Sequence, residues 1–290
     1  MPGRGAFLHR FCPARHRMAG KEAIDLDLSF AILGGDARQR HLAQLLRASG
    51  FAVITAGVPG EPDFPGGYPT AARAAQVLVL PMPASGAPDA LHHALHCAAP
   101  GARIFGGMLP AQDAPAHVRL HDFAKNEAFL LANAELTAEA AVSLLLGRME
   151  KPLAGSEILL CGFGRIGRLL ARKLAALGAH VTVAARSREA HALCHILGYP
   201  SENTAHLPAL SRFDAVVNTV PACILPDAAG ARPDCMLLEL ASSPGGFGEA
   251  ARAHPGYVPA RGLPGIYAPR AAAACIRDMI LQTLSPEERL

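Results

Sequence analysis

The sequence predicts an α/β protein composed of two doubly wound domains with a cleft between them. Short apolar segments typical of buried strands alternate with segments of helical periodicity, and this alternation occurs twice along the 290 residues. Hydrophobic residues make up 51% of the chain although tryptophan is absent. Such an aliphatic composition suits parallel sheets that are covered by helices on both faces.

The first alternation predicts a substrate-side α/β domain over residues 27–133. Strand-like segments are found at 28–33, 51–54, 75–80 and 102–105, with helical spacing at 37–49 and 90–98. Residues 57–70 are rich in glycine and proline and are predicted to form a loop. Residues 1–26 are basic and irregular and lack the apolar segment of a secretory signal, so we expect a disordered extension there.

The second alternation predicts a cofactor-binding Rossmann-like domain over residues 134–268. A long helical pattern at 126–149 and a linker at 151–156 lead into this domain. Its strands are predicted at 157–161, 180–184, 215–218, 236–240 and 257–258, with helices at 166–177 and 189–197. A closing helix at 269–284 is expected to pack back onto the first domain.

A glycine-rich segment between the first strand and the first helix of the second domain gives the strongest functional signal. It is Gly162-Phe163-Gly164-Arg165-Ile166-Gly167, which has the spacing of a dinucleotide-binding turn. In such a turn Gly162 allows the sharp bend, Gly164 lets backbone amides approach a pyrophosphate, and Gly167 lets helix and strand pack closely. The alternative is a Rossmann-like turn that binds no nucleotide.

The end of the next strand favours NADP over NAD. A site specific for NAD usually places an acidic residue at this point to bind the ribose 2′-hydroxyl. Here the strand leads into Arg186-Ser187-Arg188, and the first carboxylate is that of Glu189. An arginine and a hydroxyl suit the 2′-phosphate of NADP, although each arginine could instead be a solvated surface charge.

Two later strand ends are expected to border the nicotinamide side of the cofactor. The first is Asn218-Thr219-Val220-Pro221, and the second contains Ala241 and Ser242. Ligands of open α/β sheets bind outside the carboxyl ends of the strands, so both segments should lie beside the cofactor. Each could also be an ordinary turn.

A second glycine-containing loop predicts a substrate site in the first domain. The segment Gly34-Gly35-Asp36-Ala37-Arg38-Gln39 joins a strand to a helix but lacks the third glycine of a dinucleotide site. We therefore expect Gly35, Asp36, Arg38 and Gln39 to bind a substrate carboxylate through the guanidinium and the helix amides. The alternative for Asp36 is a simple helix N-cap.

Charge and cysteine spacing argue against several other classes of protein. The formal net charge of +3 comes without a basic run interleaved with aromatic residues, so we expect no nucleic-acid partner. The seven cysteines lie far apart with no C-x-x-C pair, which predicts neither a metal site nor disulfides and suits a reducing cytoplasm. Because no continuous run of about 18 apolar residues occurs, we predict no membrane helix.

Together these motifs resemble the A subunit of bacterial dipicolinate synthase over most of residues 28–280. The extension 1–26 departs from that family. The shared motifs are the loop 34–39, the turn 162–167, Ala185-Arg186-Ser187, Asn218-Thr219-Val220-Pro221, Leu240-Ala241-Ser242-Ser243-Pro244-Gly245-Gly246, Gly262-Leu263-Pro264-Gly265-Ile266, and Leu136-Thr137-Ala138-Glu139-Ala140.

The resemblance implies an enzyme that oxidises dihydrodipicolinate to dipicolinate, a pyridine-2,6-dicarboxylate, with NADP. It also implies a flavoprotein-like B subunit as partner and work in the mother-cell cytoplasm of a sporulating bacterium. We also expect a homo-oligomer. By the same resemblance Leu263 and Pro264 would contact the cofactor, and Thr137 and Glu139 would face the cleft, with Glu139 as proton acceptor. The alternative for Glu139 is a solvated helix carboxylate.

Two other functions stay open from the sequence. A 2-hydroxyacid-type NAD(P) dehydrogenase would share the two domains but generally pairs a catalytic histidine with a glutamate. Here His254 lies between Ala253 and Pro255, a poor context for that role. A non-catalytic, NADP-binding regulatory or scaffold subunit would keep the glycine-rich turn and would need no proton-handling residue in the cleft.

Overall fold

The computed structural model describes residues 27–285, which form two parallel β-sheets covered by helices. The predicted disordered extension 1–26 lies outside these residues. The strands are β1 Ser29–Leu33, β2 Ala52–Ala56, β3 Val77–Val79, β4 Arg103–Gly106, β5 Arg119–Asp122, β6 Glu157–Cys161, β7 His180–Ala185, β8 Ser201–Asn203, β9 Ala215–Asn218, β10 Met236–Glu239 and β11 Tyr257–Pro259. The helices are α1 Ala37–Ala48, α2 Gly67–Ala74, α3 Pro88–Cys97, α4 Glu127–Arg148, α5 Arg165–Ala176, α6 Arg188–Leu197, α7 Glu249–Arg252, α8 Leu263–Tyr267 and α9 Pro269–Leu284.

The first sheet has the strand order β2-β1-β3-β4-β5, with every pairing parallel. Both of its faces are buried. Along β1, Phe30 and Ile32 belong to one hydrophobic cluster, whereas Ala31 and Leu33 belong to another. This two-sided burial explains why the strand is apolar at successive positions instead of alternating with polar residues.

The second sheet has the order β11-β10-β9-β6-β7-β8, also fully parallel. Its two halves meet between β6 and β9, which is the point where ligands bind in doubly wound sheets. The carboxyl ends of four adjacent strands are in register across the sheet: Cys161, Asn218 and Glu239 end β6, β9 and β10, and Cys161 pairs with Ala184, one residue before the end of β7. The loops that follow these strands therefore meet along one edge.

Helices α4 and α9 connect the two sheets. Helix α4 contributes Ala138, Ala141 and Leu145 to the hydrophobic core of the second sheet. Helix α9 follows the last strand of the second sheet, yet it packs against α1, and Ile276 and Ile280 are buried in the core of the first sheet.

Within residues 27–285, one helix is long and apolar enough, by length and composition alone, to cross a membrane. It is α4, whose most apolar 18-residue window has a mean hydropathy of 1.5. No such helix was predicted from the sequence, because polar residues interrupt the run. In the fold 44% of the window is buried, and α4 packs against α5, α8 and α9. A buried core helix passes the same test, so this packing accounts for its apolar composition.

The predicted fold class is confirmed, but several short elements were missed. The segment 57–70 was predicted as a loop, and this is wrong for its last residues because α2 begins at Gly67. Pro69 lies in the first turn of α2, where its missing N–H breaks no helix hydrogen bond. The strands β5 and β8 and the helices α7 and α8 were also missed, because segments of three to five residues show too little periodicity.

Candidate functional site

The glycine-rich turn joins β6 to α5 with the geometry of a dinucleotide-binding turn. Gly162 has a φ of +96°, which favours glycine, and a Cβ there would collide with the Thr219 hydroxyl. A Cβ on Gly167 would collide with the carbonyl oxygen of Gly162, so this glycine sets the close approach of helix and strand. Gly164 is the N-cap of α5 and has no side chain to pair with the first helix amides, which stay available to an anion.

A cleft of about 1020 Å³ opens above this turn at the carboxyl edge of the second sheet. This volume lies at the upper end of the range usual for ligand sites. A Cβ built on Gly164 would have nothing among residues 27–285 within 4 Å beyond its chain neighbours, so the turn faces open space. The predicted cofactor residues that line the cleft are Gly162, Phe163, Gly164, Arg165, Ile166, Arg186, Ser187, Thr219, Val220 and Pro221.

The end of β7 supplies a cation and a hydroxyl to the cleft. Ser187 caps α6, where its hydroxyl accepts a hydrogen bond from the backbone amide of Ala190 at 3.2 Å. The side chain of Arg186 is exposed and lines the cleft. Among residues 27–285, no carboxylate lies within 4 Å of the Arg186 guanidinium, so this charge is available to an anion.

The other predicted cofactor residues lie outside the cleft lining. Gly167 is buried beneath the turn, Arg188 begins α6, and Asn218 is fully buried behind the cleft wall. The remaining four, Ala241, Ser242, Leu263 and Pro264, lie on the loop after β10 or in α8. A direct contact with the cofactor stays a prediction for these residues.

In the first domain, the loop after β1 is organised by its own side chains. The Asp36 carboxylate caps α1 by accepting from the Arg38 amide at 2.9 Å, and Gln39 Oε1 accepts from the Asp36 amide at 3.0 Å. Arg38 donates to Asp36 from Nη2 at 2.8 Å and from Nε at 3.0 Å. Burial raises the pKa of Asp36, but these Arg38 hydrogen bonds outweigh it and hold the pKa below 3.8. The alternative interpretation of Asp36 as an N-cap therefore describes this structure.

Two polar groups in this loop keep unused hydrogen-bonding capacity. Gln39 is fully buried, and among residues 27–285 its Nε2 has no hydrogen-bond partner. Within the same residues Nη1 of Arg38 donates no hydrogen bond, whereas its Nη2 donates to Asp36 and also to the Met82 carbonyl at 3.3 Å. Gly265 of α8 packs against the Asp36–Arg38 pair, because a Cβ there would lie 3.0 Å from Arg38 Nε. The segment after the second sheet thus reaches the first domain's loop.

Thr137 and Glu139, which were predicted to face the cleft between the domains, do not line the cofactor cleft above the glycine-rich turn. The Thr137 side chain is buried, and its hydroxyl donates to the Asn133 carbonyl of the same helix at 2.8 Å. Glu139 is 62% exposed and lies 3.5 Å from Lys173 of α5. In contrast, Glu127 lines the cleft. Glu139 follows it by twelve residues of α4, about 18 Å along the helix axis. The solvated-carboxylate interpretation fits this position better than a proton acceptor does.

The structure also defines the surroundings of His254, the histidine that a 2-hydroxyacid-type dehydrogenase would need for catalysis. Both ring nitrogens of His254 are engaged by backbone, Nε2 with the Arg232 carbonyl at 3.1 Å and Nδ1 with the Gly256 amide at 3.0 Å. His254 precedes β11 and so lies at the amino edge of the parallel sheet, opposite the cleft. Within residues 27–285, no group of three His, Cys, Asp or Glu side chains is arranged to hold a metal ion.

Sequence reasoning missed several residues that shape the cleft. Glu127 at the start of α4 pairs with Arg165 at 2.9 Å, and the lining also includes Arg168, Thr204 and Ile224. Glu127 belongs to α4 and Thr204 lies after β8, so only the tertiary fold brings them to the turn. Glu239 lies inside the strand predicted at 236–240 and no role was predicted for it, yet it is fully buried behind the cleft.

Cys161, the cysteine beneath the glycine-rich turn, does not supply a reactive thiolate to the site. Cys161 ends β6 directly before the glycine-rich turn and is fully buried. Burial, and to a lesser extent the nearby Glu239, raise the pKa of Cys161 to about 12. The thiol is therefore protonated at neutral pH and packs as a small apolar group.

Comparison with known proteins gives matches in both sequence and fold. Residues 130–223 match the NAD-binding domain of the D-isomer specific 2-hydroxyacid dehydrogenases. The A subunit of dipicolinate synthase from Bacillus subtilis (strain 168) is 33% identical over 154 residues, which cover 51% of this chain and 52% of that protein. The sequence match thus spans about half the length of the curated relative.

Solved structures extend the likeness to most of the fold. The A subunit of dipicolinate synthase from Bacillus halodurans superposes with a TM-score of 0.74 at 23% identity, covering 90% of this chain and 99% of that one. The corresponding chain of the Bacillus subtilis enzyme gives 0.70 at 24% identity, covering 89% and 95%. A transhydrogenase from Sinorhizobium meliloti gives 0.60 at 16% identity, covering 88% and 93%.

These matches support an oxidoreductase with a nicotinamide cofactor. The dehydrogenase-type domain match covers the glycine-rich turn, the end of β7 and the loop after β9, which are the segments that form the cleft. The resemblance of this chain to the A subunits of dipicolinate synthases, which its motifs predicted, is confirmed.

Proposed function

We infer that this chain oxidises dihydrodipicolinate to dipicolinate with NADP⁺, as the A subunit of a dipicolinate synthase. The single observation that supports this most is the cleft itself. It combines a G-x-G-x-x-G turn, whose helix has no side-chain N-cap, with the Arg186 guanidinium, which has no carboxylate partner among residues 27–285. The relatives of this chain are dipicolinate synthase A subunits.

The preference for NADP is supported by the end of β7. Arg186 lies where an NAD-specific site would place a carboxylate, and Ser187 adds a hydroxyl beside it. The first carboxylate after the strand, Glu189, lies in the first turn of α6. A guanidinium without a protein partner can donate two hydrogen bonds to a phosphate, whereas an NAD ribose offers it only hydroxyl groups.

The substrate side of the proposal rests on the loop after β1. Nη1 of Arg38 and the buried Nε2 of Gln39 make no hydrogen bond within residues 27–285, and a substrate carboxylate requires such donors. The Asp36 carboxylate orients the guanidinium through two of its donor atoms. Loss of Arg38 should therefore raise the KM for the dicarboxylate.

The chemistry requires removal of one hydride and one proton from the dihydropyridine ring. NADP⁺ in the cleft would accept the hydride, and the aromatic product supplies driving force. The residues of this chain would bind the carboxylates and orient the ring toward the nicotinamide. Because Glu139 lies about three turns of α4 away from the cleft, we assign no base and expect Glu139→Gln to keep the turnover rate.

The setting of the reaction is part of the same proposal. A B subunit, which we take to be flavoprotein-like, would be the partner, and the chain would work as a homo-oligomer in the mother-cell cytoplasm of a sporulating bacterium. A partner is supported by the matched relatives, which are named as one subunit of a synthase.

Calorimetric titration with NADP⁺ and NAD⁺ tests the cofactor. We expect tighter binding of NADP⁺, and we expect Arg186→Ala to weaken NADP⁺ by tenfold or more, on the order of one charge-assisted hydrogen bond, without changing NAD⁺. Arg148→Ala, an exposed arginine at the far end of α4, is the matched control. Equal affinities, or tighter NAD⁺ binding that Arg186→Ala leaves unchanged, would contradict the proposal.

Turnover of dihydrodipicolinate, followed as NADPH formation with and without the partner protein, tests the reaction. Turnover that is lost in Arg38→Ala would support the proposal that this chain is itself the enzyme. NADP⁺ binding without turnover in either mixture would favour the regulatory or scaffold subunit instead.

A further inference from the structure

A buried glutamate lies directly behind the wall of the cofactor cleft. Glu239, the last residue of β10, is fully buried and accepts four hydrogen bonds. Its Oε1 accepts from Asn218 Nδ2 at 2.7 Å and from the Ala241 amide at 3.1 Å. Its Oε2 accepts from the amides of Gly246 at 2.8 Å and Phe247 at 3.2 Å. Three of these donors lie in the loop after β10, and the fourth is the last residue of β9, so all four are at the carboxyl edge of the sheet.

The first connection runs through Asn218 to Val220. Asn218 is also fully buried, and its amide holds both polar backbone groups of Val220. Nδ2 donates to the Val220 carbonyl at 2.9 Å, and Oδ1 accepts from the Val220 amide at 3.1 Å. Because Glu239 can only accept, it fixes which end of the Asn218 amide carries the donors. Val220 itself lines the cleft.

The second connection runs through Gly246 to Ile224. The Gly246 amide donates to Glu239, while its carbonyl accepts from the Ile224 and Leu225 amides at 3.0 Å each. Ile224 also lines the cleft. Glu239 is therefore linked to two points of one wall, on either side of Pro221.

This network also explains the Gly245-Gly246 pair, to which the proposed function gives no role. Gly245 has a φ of +87°, and a Cβ there would lie 2.6 Å from Glu239 Oε2. A Cβ on Gly246 would collide with the Asn218 amide. The two glycines are required because the buried carboxylate and amide occupy the space that side chains would need.

The wall in question belongs to the nicotinamide half of the cleft. Arg186 follows β7, on the side of β6 that would take the adenosine phosphate. In contrast, β9 and β10 belong to the other mononucleotide half of the sheet. We propose that Glu239 is a positioning residue that holds the nicotinamide-side wall of the cleft, through Asn218 to Val220 and through Gly246 to Ile224. This inference rests on the proposed dinucleotide site.

Binding of the whole cofactor and of its adenosine half distinguishes positioning from simple structural support. The probes are NADP⁺ and 2′,5′-ADP, titrated by calorimetry into wild type, Glu239→Gln and the control Glu249→Gln. Glu249 is an exposed glutamate at the start of α7, in the segment between β10 and β11. We expect Glu239→Gln to weaken NADP⁺ roughly tenfold, to leave 2′,5′-ADP within about twofold, and to change the fluorescence of bound NADPH. The control should match wild type.

Three outcomes would overturn the inference. Unchanged NADP⁺ affinity in Glu239→Gln would remove it while leaving the proposed function intact. Equal weakening of NADP⁺ and 2′,5′-ADP would show a merely structural glutamate. Wild-type protein that binds neither probe would remove the proposed function as well.

A second variant decides the question if Glu239→Gln does not fold. Asn218→Ser keeps the buried carboxylate and removes both hydrogen bonds to Val220. The same selective loss of NADP⁺ affinity is expected, and wild-type affinity in this variant would overturn the proposal.

Discussion

At the scale of single residues, the three glycines of the turn have three different physical roles. Gly162 adopts a positive φ, and Gly167 lets the first turn of α5 rest on the carbonyl of Gly162. Gly164 has an ordinary φ of −79°, so the protein backbone does not require glycine there. A need for glycine at this position would therefore come from a ligand that occupies the space above it.

This difference predicts opposite phenotypes for two alanine substitutions. Gly167→Ala should lower the free energy of unfolding by about 1–3 kcal/mol, because the new methyl group collides with backbone. Gly164→Ala should leave the unfolding midpoint near that of wild type but weaken NADP⁺ binding. Thermal unfolding and calorimetry on the same samples measure both effects. Wild-type NADP⁺ affinity in Gly164→Ala would argue against a pyrophosphate at this turn.

At the scale of elements, Asp214 joins the linker to the second sheet. It immediately precedes β9 and is buried, and its carboxylate lies 2.7 Å from Lys151 of the linker. The same carboxylate accepts from the Glu157 amide at the start of β6 at 2.8 Å and from Arg232 ahead of β10. One side chain thus contacts the linker, the start of β6 and the segment before β10, all at the amino edge of the sheet.

These contacts predict a pH-dependent contribution of Asp214 to stability. Burial raises the pKa of Asp214, but the hydrogen bonds from Lys151 and Arg232 and from the Glu157 amide outweigh burial, so the pKa lies below 3.8. A lowered pKa in the folded state means stabilisation that is present above pH 3.8 and is lost as the pH falls through the folded-state value.

Asp214→Asn should therefore lower the free energy of unfolding at pH 7 by about 1–3 kcal/mol. The difference from wild type should shrink as the pH falls below 3.8. Urea unfolding across a pH series checks this. Asp234→Asn is the matched control, because Asp234 is the exposed partner of the same Arg232 and should have little effect. A pH-independent difference would contradict the assignment.

At the scale of the whole molecule, α9 makes the first core depend on the end of the chain. This helix begins at Pro269, after the last strand of the second sheet, and packs on α1. Ile276 and Ile280 share a hydrophobic cluster with Phe30 and Leu42 of the first sheet and its helix. The chain thus crosses between the two sheets once through α4 and again before α9.

Removing side-chain volume from α9 should destabilise the first core and spare the cofactor cleft. Ile280 is fully buried, so Ile280→Ala should cost about 2–5 kcal/mol of unfolding free energy. NADP⁺ affinity measured below the unfolding midpoint should stay at the wild-type value, because the cleft residues, apart from Glu127 of α4, belong to the second sheet and the segments that follow its strands. Gln282→Ala, an exposed position of the same helix, is the control. An unchanged midpoint for Ile280→Ala would contradict the packing.

Local sequence was sufficient to predict the fold class and the turn that defines the cleft. Two-sided burial makes parallel strands continuously apolar, and close packing at Gly162 and Gly167 excludes every side chain, so both features are visible in short segments. The first and last residues of β6 and β9 were predicted correctly because both strands are buried at successive positions. Elements of three to five residues gave no comparable periodicity.

The side chains that meet at the site could be identified only from the three-dimensional fold. Asn218 and Glu239 are 21 residues apart, and only the parallel pairing of β9 with β10 makes them neighbours. The direction of α4 removes Glu139 from the cleft and brings Glu127 to it, although both lie on one helix. Local sequence determines backbone geometry because its causes are local, whereas contacts between loops depend on strand order and helix direction, which no short segment encodes.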